Sequence, residues 1–412
     1  MFRRKWSGLP PDPDFPTGLK ELGYFVNEDD EIRSIQDPQY YFKYFLCRNS
    51  RWNDRQRYAM NQSIQQVIWE RLEGLGLKKQ LLPLGVTDPA TPHVPIFVSG
   101  DIARKSRVVV IFGETMQDLG VLAFRVAGGH GGVNKGSVVS IVAELQKQRS
   151  SASDAEPPGV VLANMGELIW LPQAQRTLSI LAFNCARMKS AVHKGRVVTP
   201  GNLVPGNETP KAHVNYIFND VLPHLVNDRA RLDIITVGDS AEFVEQYLDL
   251  PPVWQTWHRR INCLAIVGGQ YAIWDLNNQE FKEFLKNKAR AYTTSFEPAG
   301  MVLSGPEGNP KTTAFTQIGC PVFSSGEPHY TECTLVASGR IVLDWLHEVA
   351  TTPDGEDYSN PEFQIIYADP PAEEVDGVDW SRWKEEDAAA EEKKGEGEEK
   401  SEKKEGHEGD GK

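Results

Sequence analysis

The feature that most constrains the fold is an alternation of strand-like and helix-like segments over about 250 residues. Residues 108–112 are apolar at every position, which is typical of a parallel strand buried on both faces. Helical patterns follow such segments, and one of them has Thr209 as its predicted N-cap and Pro210 as its first residue. This alternation predicts an α/β fold with a mostly parallel central sheet and helices on both faces.

The segments that precede the sheet are predicted from their local pattern. Residues 1–20 are rich in proline, aspartate and glycine, which indicates an extended arm. Two short apolar pieces, 24–26 and 31–35, flank a polar turn and favour a hairpin. Residues 52–75 repeat apolar side chains at helical spacing. They therefore predict an amphipathic helix.

The C-terminal part of the chain differs in composition from the rest. The helical pattern stops after Pro353, and the run from Glu385 onward is dominated by glutamate, lysine and glycine. Such a run buries too little apolar surface to offset the entropy lost on ordering it. We therefore predict one domain over residues 1–352, a linker over residues 353–384 and a disordered acidic tail over residues 385–412.

Charge and hydropathy exclude several classes of function. The formal net charge is −13 at pH 7, so the protein has no general attraction for nucleic-acid phosphates or anionic membranes. Direct nucleic-acid binding is therefore disfavoured. The sequence shows no secretory signal and no apolar run long enough to cross a bilayer. We expect an intracellular protein without a membrane segment.

Cysteine and glycine spacing gives no sign of a metal or a cofactor. The glycine-rich residues 128–132 match neither the phosphate-loop motif nor the dinucleotide-binding motif. The cysteines are odd in number, widely scattered and without metal-ligand spacing, which favours reduced thiols. We expect no metal site and no cofactor. The five cysteines are Cys47, Cys185, Cys263, Cys320 and Cys333.

Three residues stand in the chain order of a serine hydrolase. Ser240 lies in a Gly-Asp-Ser-Ala-Glu turn between a predicted strand and a predicted helix, Glu297 follows a later strand, and His329 precedes the last helix. Hydrolases of the α/β-hydrolase fold carry nucleophile, acid and base in that order. The pattern predicts a relay in which Ser240 is the nucleophile, His329 the base and Glu297 the group that orients the base.

Two carboxylates oppose turnover at such a site. The G-x-S-x-G turn keeps small residues on both sides of the serine, but Glu242 occupies the second glycine position and crowds the turn. Oxyanion donors are expected just after residues 112–113, and Glu114 would oppose the developing negative charge if its side chain pointed inward. On the alternative interpretation, Ser240 only caps the helix that starts at Ala241.

Several motifs, taken in order, resemble the fungal Argonaute-binding protein two domain. The resemblance covers roughly residues 1–350 and implies an α/β-hydrolase-like fold. A metazoan cotranscriptional-regulator family is also similar, with a histidine motif that His329 matches and a Ser–Glu–Pro motif that residues 295–298 match in part. The motifs that carry the resemblance are residues 1–10, 22–24, 107–113, 238–241 and 319–328.

The resemblance implies a role in small-RNA-directed heterochromatin silencing, in the nucleus and/or the cytoplasm. The implied partners are Argonaute-type proteins or histone and chromatin proteins. Our first hypothesis is a non-enzymatic adaptor, a pseudoenzyme that binds proteins. The alternative is a serine hydrolase that acts on an ester or another acyl substrate through Ser240, His329 and Glu297.

Overall fold

The computed structural model of the protein describes residues 8–192, 196–309, 317–353 and 357–365. All of them belong to one unit of the chain, Met1–Tyr367. The predicted acidic tail, residues 385–412, lies outside the described residues, as does most of the predicted linker. Among the described residues, no helix is long and apolar enough to cross a membrane.

Strands account for the centre of the described structure, and most of them join one sheet. In chain order they are β1 Tyr24–Val26, β2 Ile32–Ser34, β3 Leu77–Leu82, β4 Val94–Ser99, β5 Arg107–Phe112, β6 Gly159–Ala163, β7 Ile169–Leu171, β8 Arg176–Leu178, β9 Arg231–Val237, β10 Ile261–Val267, β11 Ala289–Thr293, β12 Val302–Ser304 and β13 Val322–Ser324.

The large sheet has nine strands in the order β12-β13-β11-β10-β9-β5-β6-β4-β3. Strands β6, β5, β9, β10, β11 and β13 run parallel to their neighbours within this set. Strand β4 is antiparallel to both β3 and β6. The second strand of this sheet in chain order, β4, is an antiparallel one. This strand order and direction are those of the α/β-hydrolase fold. The predicted fold class is therefore confirmed.

Helices cover both faces of the sheet. They are α1 Ser50–Gly74, α2 Phe124–Ala127, α3 Gly132–Lys135, α4 Val138–Leu145, α5 Ile180–Cys185, α6 Pro210–Tyr216, α7 Leu222–Leu225, α8 Ser240–Leu248, α9 Pro251–Trp257, α10 Gln279–Lys288 and α11 Thr334–Ala350. The predicted cap at Thr209 forms, because its side chain accepts a hydrogen bond from the backbone N–H of Ala212 at 3.1 Å.

All six residues of strand β5 are buried, as expected for a parallel strand in the interior of the sheet. Its one charged side chain, Arg107, forms a buried ion pair with Asp233 of β9, with 2.6 Å between nitrogen and oxygen. Arg107 also donates to the carbonyl oxygens of Arg149 and Leu346. The charge is thus fully hydrogen-bonded, which a buried guanidinium requires, and it joins the sheet to α11.

The sequence pattern missed some elements and overextended others. Strands β3, β7, β8 and β12 and helices α3, α5 and α9 were not predicted. The apolar pattern of residues 119–126 also predicts a helix, but only the short α2 forms there. The reason is Gly120, whose φ of +90° is incompatible with a helix, and Val121, which bridges to Ser137 instead.

Both ends of the described chain pack on the body. Asp12 of the predicted arm is buried and forms an ion pair with Arg51 of α1 at 2.7 Å. Beyond α11, the side chain of Asn360 donates to the carbonyl oxygen of Ala289 at 2.8 Å. Phe363 packs its ring edge-on against Phe323, 5.1 Å between centroids. Residues 357–365 therefore contact the sheet, within the stretch predicted as a linker.

Candidate functional site

The three residues predicted from chain order all follow carboxyl ends of parallel strands. Ser240 follows β9, Glu297 follows β11 and His329 follows β13. Because these strands are parallel members of one sheet, their carboxyl ends meet at the same edge. This edge is the place where open α/β sheets bind ligands.

The hydroxyl of Ser240 is buried and is committed to the backbone. Its Oγ lies 3.0 Å from the carbonyl oxygen of Phe112 and 2.9 Å from that of Val237. It also accepts a hydrogen bond from the N–H of Val237 at 2.9 Å. The side chain therefore joins the first residue of α8 to the ends of β5 and β9.

His329 and Glu297 lie on loops that contact each other. The hydroxyl of Ser324 donates to the carbonyl oxygen of Glu297 at 2.6 Å. His329 is exposed, and its ring packs edge-on against Phe296 with 5.1 Å between centroids. The structure thus brings these two loops together on the surface, while the Ser240 hydroxyl faces the interior.

Within the described part of the chain, no hydrogen bond joins the side chains of Ser240, Glu297 and His329. A serine nucleophile needs a base within hydrogen-bond reach, although apo sites are often looser. Here the serine proton already has backbone acceptors. The catalytic role of the three residues stays a prediction, and the observed hydrogen bonds give it no support.

The backbone places the hydrolase elbow two residues earlier than the sequence motif suggested. Gly238, directly after β9, has a φ of +58°, the left-handed conformation expected at a sharp, strained strand-to-helix turn. Thr236 and Ser240, two positions to either side, are buried and small enough for the flanking positions of such a turn. A glycine therefore occupies the nucleophile position, and Ser240 occupies a flanking one.

A carboxylate fills the space above this glycine. Phe112 of β5 pairs with Thr236 of β9, so Glu114 and Gly238, each two residues further on, leave the sheet side by side. A Cβ built on Gly238 would lie 1.5 Å from Oε2 of Glu114. The Glu114 carboxylate also accepts a hydrogen bond from the backbone N–H of Thr115 at 3.1 Å. No nucleophile side chain fits at this position while Glu114 keeps its place.

The same contact closes the oxyanion hole. In α/β-hydrolases, one oxyanion donor is the N–H of the residue after the nucleophile, which here is Asp239. Burial raises the pKa of Glu114, and the nearby Asp239 charge raises it further, while hydrogen bonds from Thr115 oppose the shift. The Glu114 side chain points inward, over Gly238. It holds a carboxylate where an acyl-transfer transition state would place its negative charge.

Glu242 does not crowd the turn, contrary to the sequence-based expectation. Its side chain is exposed on α8 and accepts a hydrogen bond from Nε2 of Gln246 at 2.9 Å. The buried carboxylate of this helix is Glu245, whose oxygens have no hydrogen-bond partner among the described residues. Burial raises the pKa of Glu245 well above its usual value, and Asp249 adds to the effect. The neutral form of Glu245 is thus favoured.

We call the turn at Gly238, covered by Glu114, the closed turn. At the same edge of the sheet lie three exposed aromatic side chains, Phe296, His329 and Tyr330, which we call the aromatic row. Phe296 is 82% exposed and Tyr330 45% exposed. The guanidinium of Arg125 lies over the Tyr330 ring, 3.5 Å from its centroid, and its Nε donates to Glu332 at 2.6 Å. Arg125 and Glu332 also line a groove of about 550 Å³, so the row borders a concave surface.

The described part of the chain contains no cluster of side chains that could bind a metal ion. No group of three histidine, cysteine, aspartate or glutamate side chains there is placed to hold a metal ion. All five cysteines are free thiols. The glycine-rich residues 128–132 shape a loop, and a Cβ on Gly132 would lie 2.6 Å from the carbonyl oxygen of Asp30.

A family model described as the Arb2 domain matches residues 15–299. This match spans more than half of the chain. The chain belongs to the Arb2 domain family. The matched residues include the closed turn at Gly238 together with Glu114 and Glu297, whereas His329 and Tyr330 lie beyond the match.

Solved structures to which the chain is similar are esterases. A thermostable esterase from Pseudomonas putida ECU1011 is 10% identical, with 69% of this chain and 86% of that chain covered and a TM-score of 0.30. A carboxyl esterase 2 from the mycorrhizal fungus Tuber melanosporum is 9% identical, with 67% and 87% covered and a TM-score of 0.30. A bacterial heroin esterase is 10% identical, with 70% and 92% covered and a TM-score of 0.30. Likeness at this level transfers no chemistry. No curated protein matches the chain.

Proposed function

We propose that this Arb2-family protein is a non-enzymatic adaptor that uses a hydrolase-like domain to bind other proteins. The observation that carries the proposal is the carboxylate of Glu114 at the nucleophile position above Gly238. Through the family resemblance, the partners are Argonaute-type proteins or histone and chromatin proteins, and the process is small-RNA-directed heterochromatin silencing. The place of action is then the nucleus and/or the cytoplasm.

The case against turnover rests on transition-state electrostatics. Loss of a single oxyanion donor costs an enzyme roughly 3 kcal/mol in its barrier. Here the Glu114 carboxylate lies beside the Asp239 donor, and in its ionised form it carries charge of the same sign as an oxyanion. A displaced Glu114 would still leave Gly238 without a nucleophilic side chain. Ser240 would have to leave its backbone hydrogen bonds before it could react.

The case for a protein partner rests on the aromatic row. Exposed aromatic side chains that border a groove are the residues that most often anchor protein interfaces. Arg125 adds a guanidinium that is stacked on Tyr330 and held by Glu332, and arginine is also enriched at such interfaces. The row therefore offers aromatic anchors with a charged rim.

The absence of turnover is tested by labelling the purified protein with a fluorophosphonate probe and by assaying short-chain p-nitrophenyl esters. We expect no labelling and no hydrolysis above the level of Ser240→Ala, with an active serine hydrolase as the positive control. Esterase activity that disappears in both Ser240→Ala and His329→Ala would overturn the proposal in favour of the serine hydrolase. Only a working relay loses activity at both positions.

The partner is tested by binding assays with a purified Argonaute-type protein and with purified histones. Phe296→Ala combined with Tyr330→Ala should weaken the interaction at least tenfold, since hot-spot aromatics carry a large share of interface energy. Trp274→Ala is the matched control, because Trp274 is 64% exposed and lies outside the aromatic row. Equal loss in the control, or no loss in the double variant, would remove the row from the interface.

A further inference from the structure

A second concave site lies away from the closed turn, and we name it the arm cavity. It has a volume of about 710 Å³, within the range of small-molecule sites. Its walls are residues 14–17 of the arm, one face of α1, the β7–β8 hairpin, and α5 with the segment that follows it. The arm closes one side because Asp12 is held by Arg51 and by the backbone N–H of Met188.

The wall nearest the arm carries an excess of positive charge. Arg55, Arg187, Lys189 and Arg196 line it, and Asp14 is the carboxylate among them. Asp14 is shared, since it lies 2.9 Å from Arg187 and 3.8 Å from Arg55. One carboxylate against four cations is notable in a chain whose formal net charge is −13.

Two of these cations lack an anionic partner. Lys189 is exposed, and its ammonium has no ion pair among the described residues. Nε of Arg196 is buried without a hydrogen-bond acceptor there, and its terminal nitrogen donates only to the carbonyl oxygen of Arg187. Burial lowers the pKa of Arg196, and the neighbouring Arg51 lowers it further, while Asp12 opposes the shift. This guanidinium is therefore incompletely neutralised.

The opposite wall of the arm cavity does not supply enough negative charge to neutralise these cations. Glu167 there is matched by Arg176 at 3.0 Å. Asp118 accepts a hydrogen bond from the Ser179 hydroxyl at 2.8 Å. Burial raises the pKa of Asp118 to about 7, with the Glu167 charge as the second cause. This carboxyl group thus carries only part of a negative charge near neutral pH.

We propose that the arm cavity binds a small, multiply charged anion, with Arg196 and Lys189 as its main ligands. Guanidinium and ammonium groups recognise carboxylate and phosphate oxygens by charge-assisted hydrogen bonds. The ligand class is a phosphate ester or a polycarboxylate small enough for the cavity. The other cations of the wall have structural partners: Arg55 donates to the carbonyl oxygens of Pro13 and Cys185.

The proposal is tested by isothermal titration calorimetry of the full chain with pyrophosphate and with citrate at matched ionic strength. We expect saturable binding of at least one of them. Lys189→Gln combined with Arg196→Gln should weaken it at least tenfold. Arg229→Gln is the control, because Arg229 is exposed and lies outside the cavity, and it should leave the affinity unchanged.

The two ligands distinguish the chemical source. Tighter binding of pyrophosphate indicates a phosphate ester, and tighter binding of citrate indicates a polycarboxylate. Lys189→Gln alone keeps the test valid if the Arg196 variant does not fold. Absence of saturable binding in the wild type, or equal affinity in wild type and double variant, overturns the proposal. Either result leaves the adaptor proposal untouched, because that proposal rests on the closed turn and the aromatic row.

Discussion

The turn after β9 and the loop after β13 lie at the same edge of the sheet, but they differ in burial and in hydrogen bonding. At the turn, Gly238 lies under the Glu114 carboxylate and the Ser240 hydroxyl is saturated by backbone groups. At the loop, His329 is exposed and packs against the exposed ring of Phe296. In a hydrolase both segments would have to face one substrate pocket.

This difference indicates which segment at this edge of the sheet is accessible to a binding partner. A closed turn contributes to stability, because the N–H of Gly238 and the hydroxyl of Ser240 have internal partners. An exposed aromatic loop contributes little to stability and much to recognition. The two segments should therefore respond in opposite ways to substitution: the turn through folding, the loop through binding.

The largest effect is expected for Gly238→Ala. The new Cβ would stand 1.5 Å from Oε2 of Glu114 at a φ of +58°, so both a clash and backbone strain are introduced. We expect a loss of about 3 kcal/mol in the free energy of unfolding, measured by urea denaturation.

A double variant separates the two causes. Glu114→Ala removes the clashing carboxylate, so Gly238→Ala should cost only about 1–2 kcal/mol in that background, the cost of the left-handed backbone alone. Additive effects of the two substitutions would show that Glu114 does not occupy the space above Gly238.

A smaller loss is expected for Ser240→Ala. The substitution removes the buried hydrogen bonds of the Ser240 hydroxyl with the backbone of Phe112 and Val237, and such a hydrogen bond contributes about 0.5–1.5 kcal/mol. Ester hydrolysis should not change. Chemical denaturation monitored by tryptophan fluorescence measures the loss. An unchanged unfolding midpoint would contradict the structural role of this hydroxyl.

A pH-dependent effect is expected for Asp118→Asn, a residue in the wall of the arm cavity. The folded pKa of Asp118 is raised to about 7 from 3.8, so ionising this group costs stability as pH rises between those values. The neutral asparagine should therefore raise the free energy of unfolding at pH 8 by about 1 kcal/mol or more. It should change little at pH 4.

Thermal unfolding of the Asp118→Asn variant at both pH values gives the comparison, with Asp228→Asn as the exposed control. Equal shifts at pH 4 and pH 8 would show that desolvation of the Asp118 carboxylate is not the cause. A shift of the same size in the control would lead to the same conclusion.

The smallest effect on stability is expected for His329→Ala. The ring is exposed and its contacts are aromatic neighbours at 5.1 and 6.1 Å, so the free energy of unfolding should change by less than about 0.5 kcal/mol. Differential scanning fluorimetry checks this expectation. A loss as large as that of Ser240→Ala would abolish the contrast between the two segments.

The sequence by itself determined the parallel core of the sheet and the position of the site edge. Apolar runs such as residues 108–112 form strands buried on both faces wherever the chain is long enough to cover them. The chain order of Ser240, Glu297 and His329 then places all three after parallel strands. Local pattern is sufficient for these conclusions because they depend on which faces are apolar and on which residue follows which strand.

Only the tertiary structure decided what the edge contains. The pairing of Phe112 with Thr236 brings Glu114 beside Gly238 from a segment more than a hundred residues away. The loop after β10 also presses on the turn, since a Cβ on Gly269 would lie 2.8 Å from the carbonyl oxygen of Gly238. Strand register and inter-loop packing set which residue takes the left-handed conformation and which side chain fills the space above it. A five-residue motif contains neither quantity, which is why the elbow at Gly238 was found only in the folded chain.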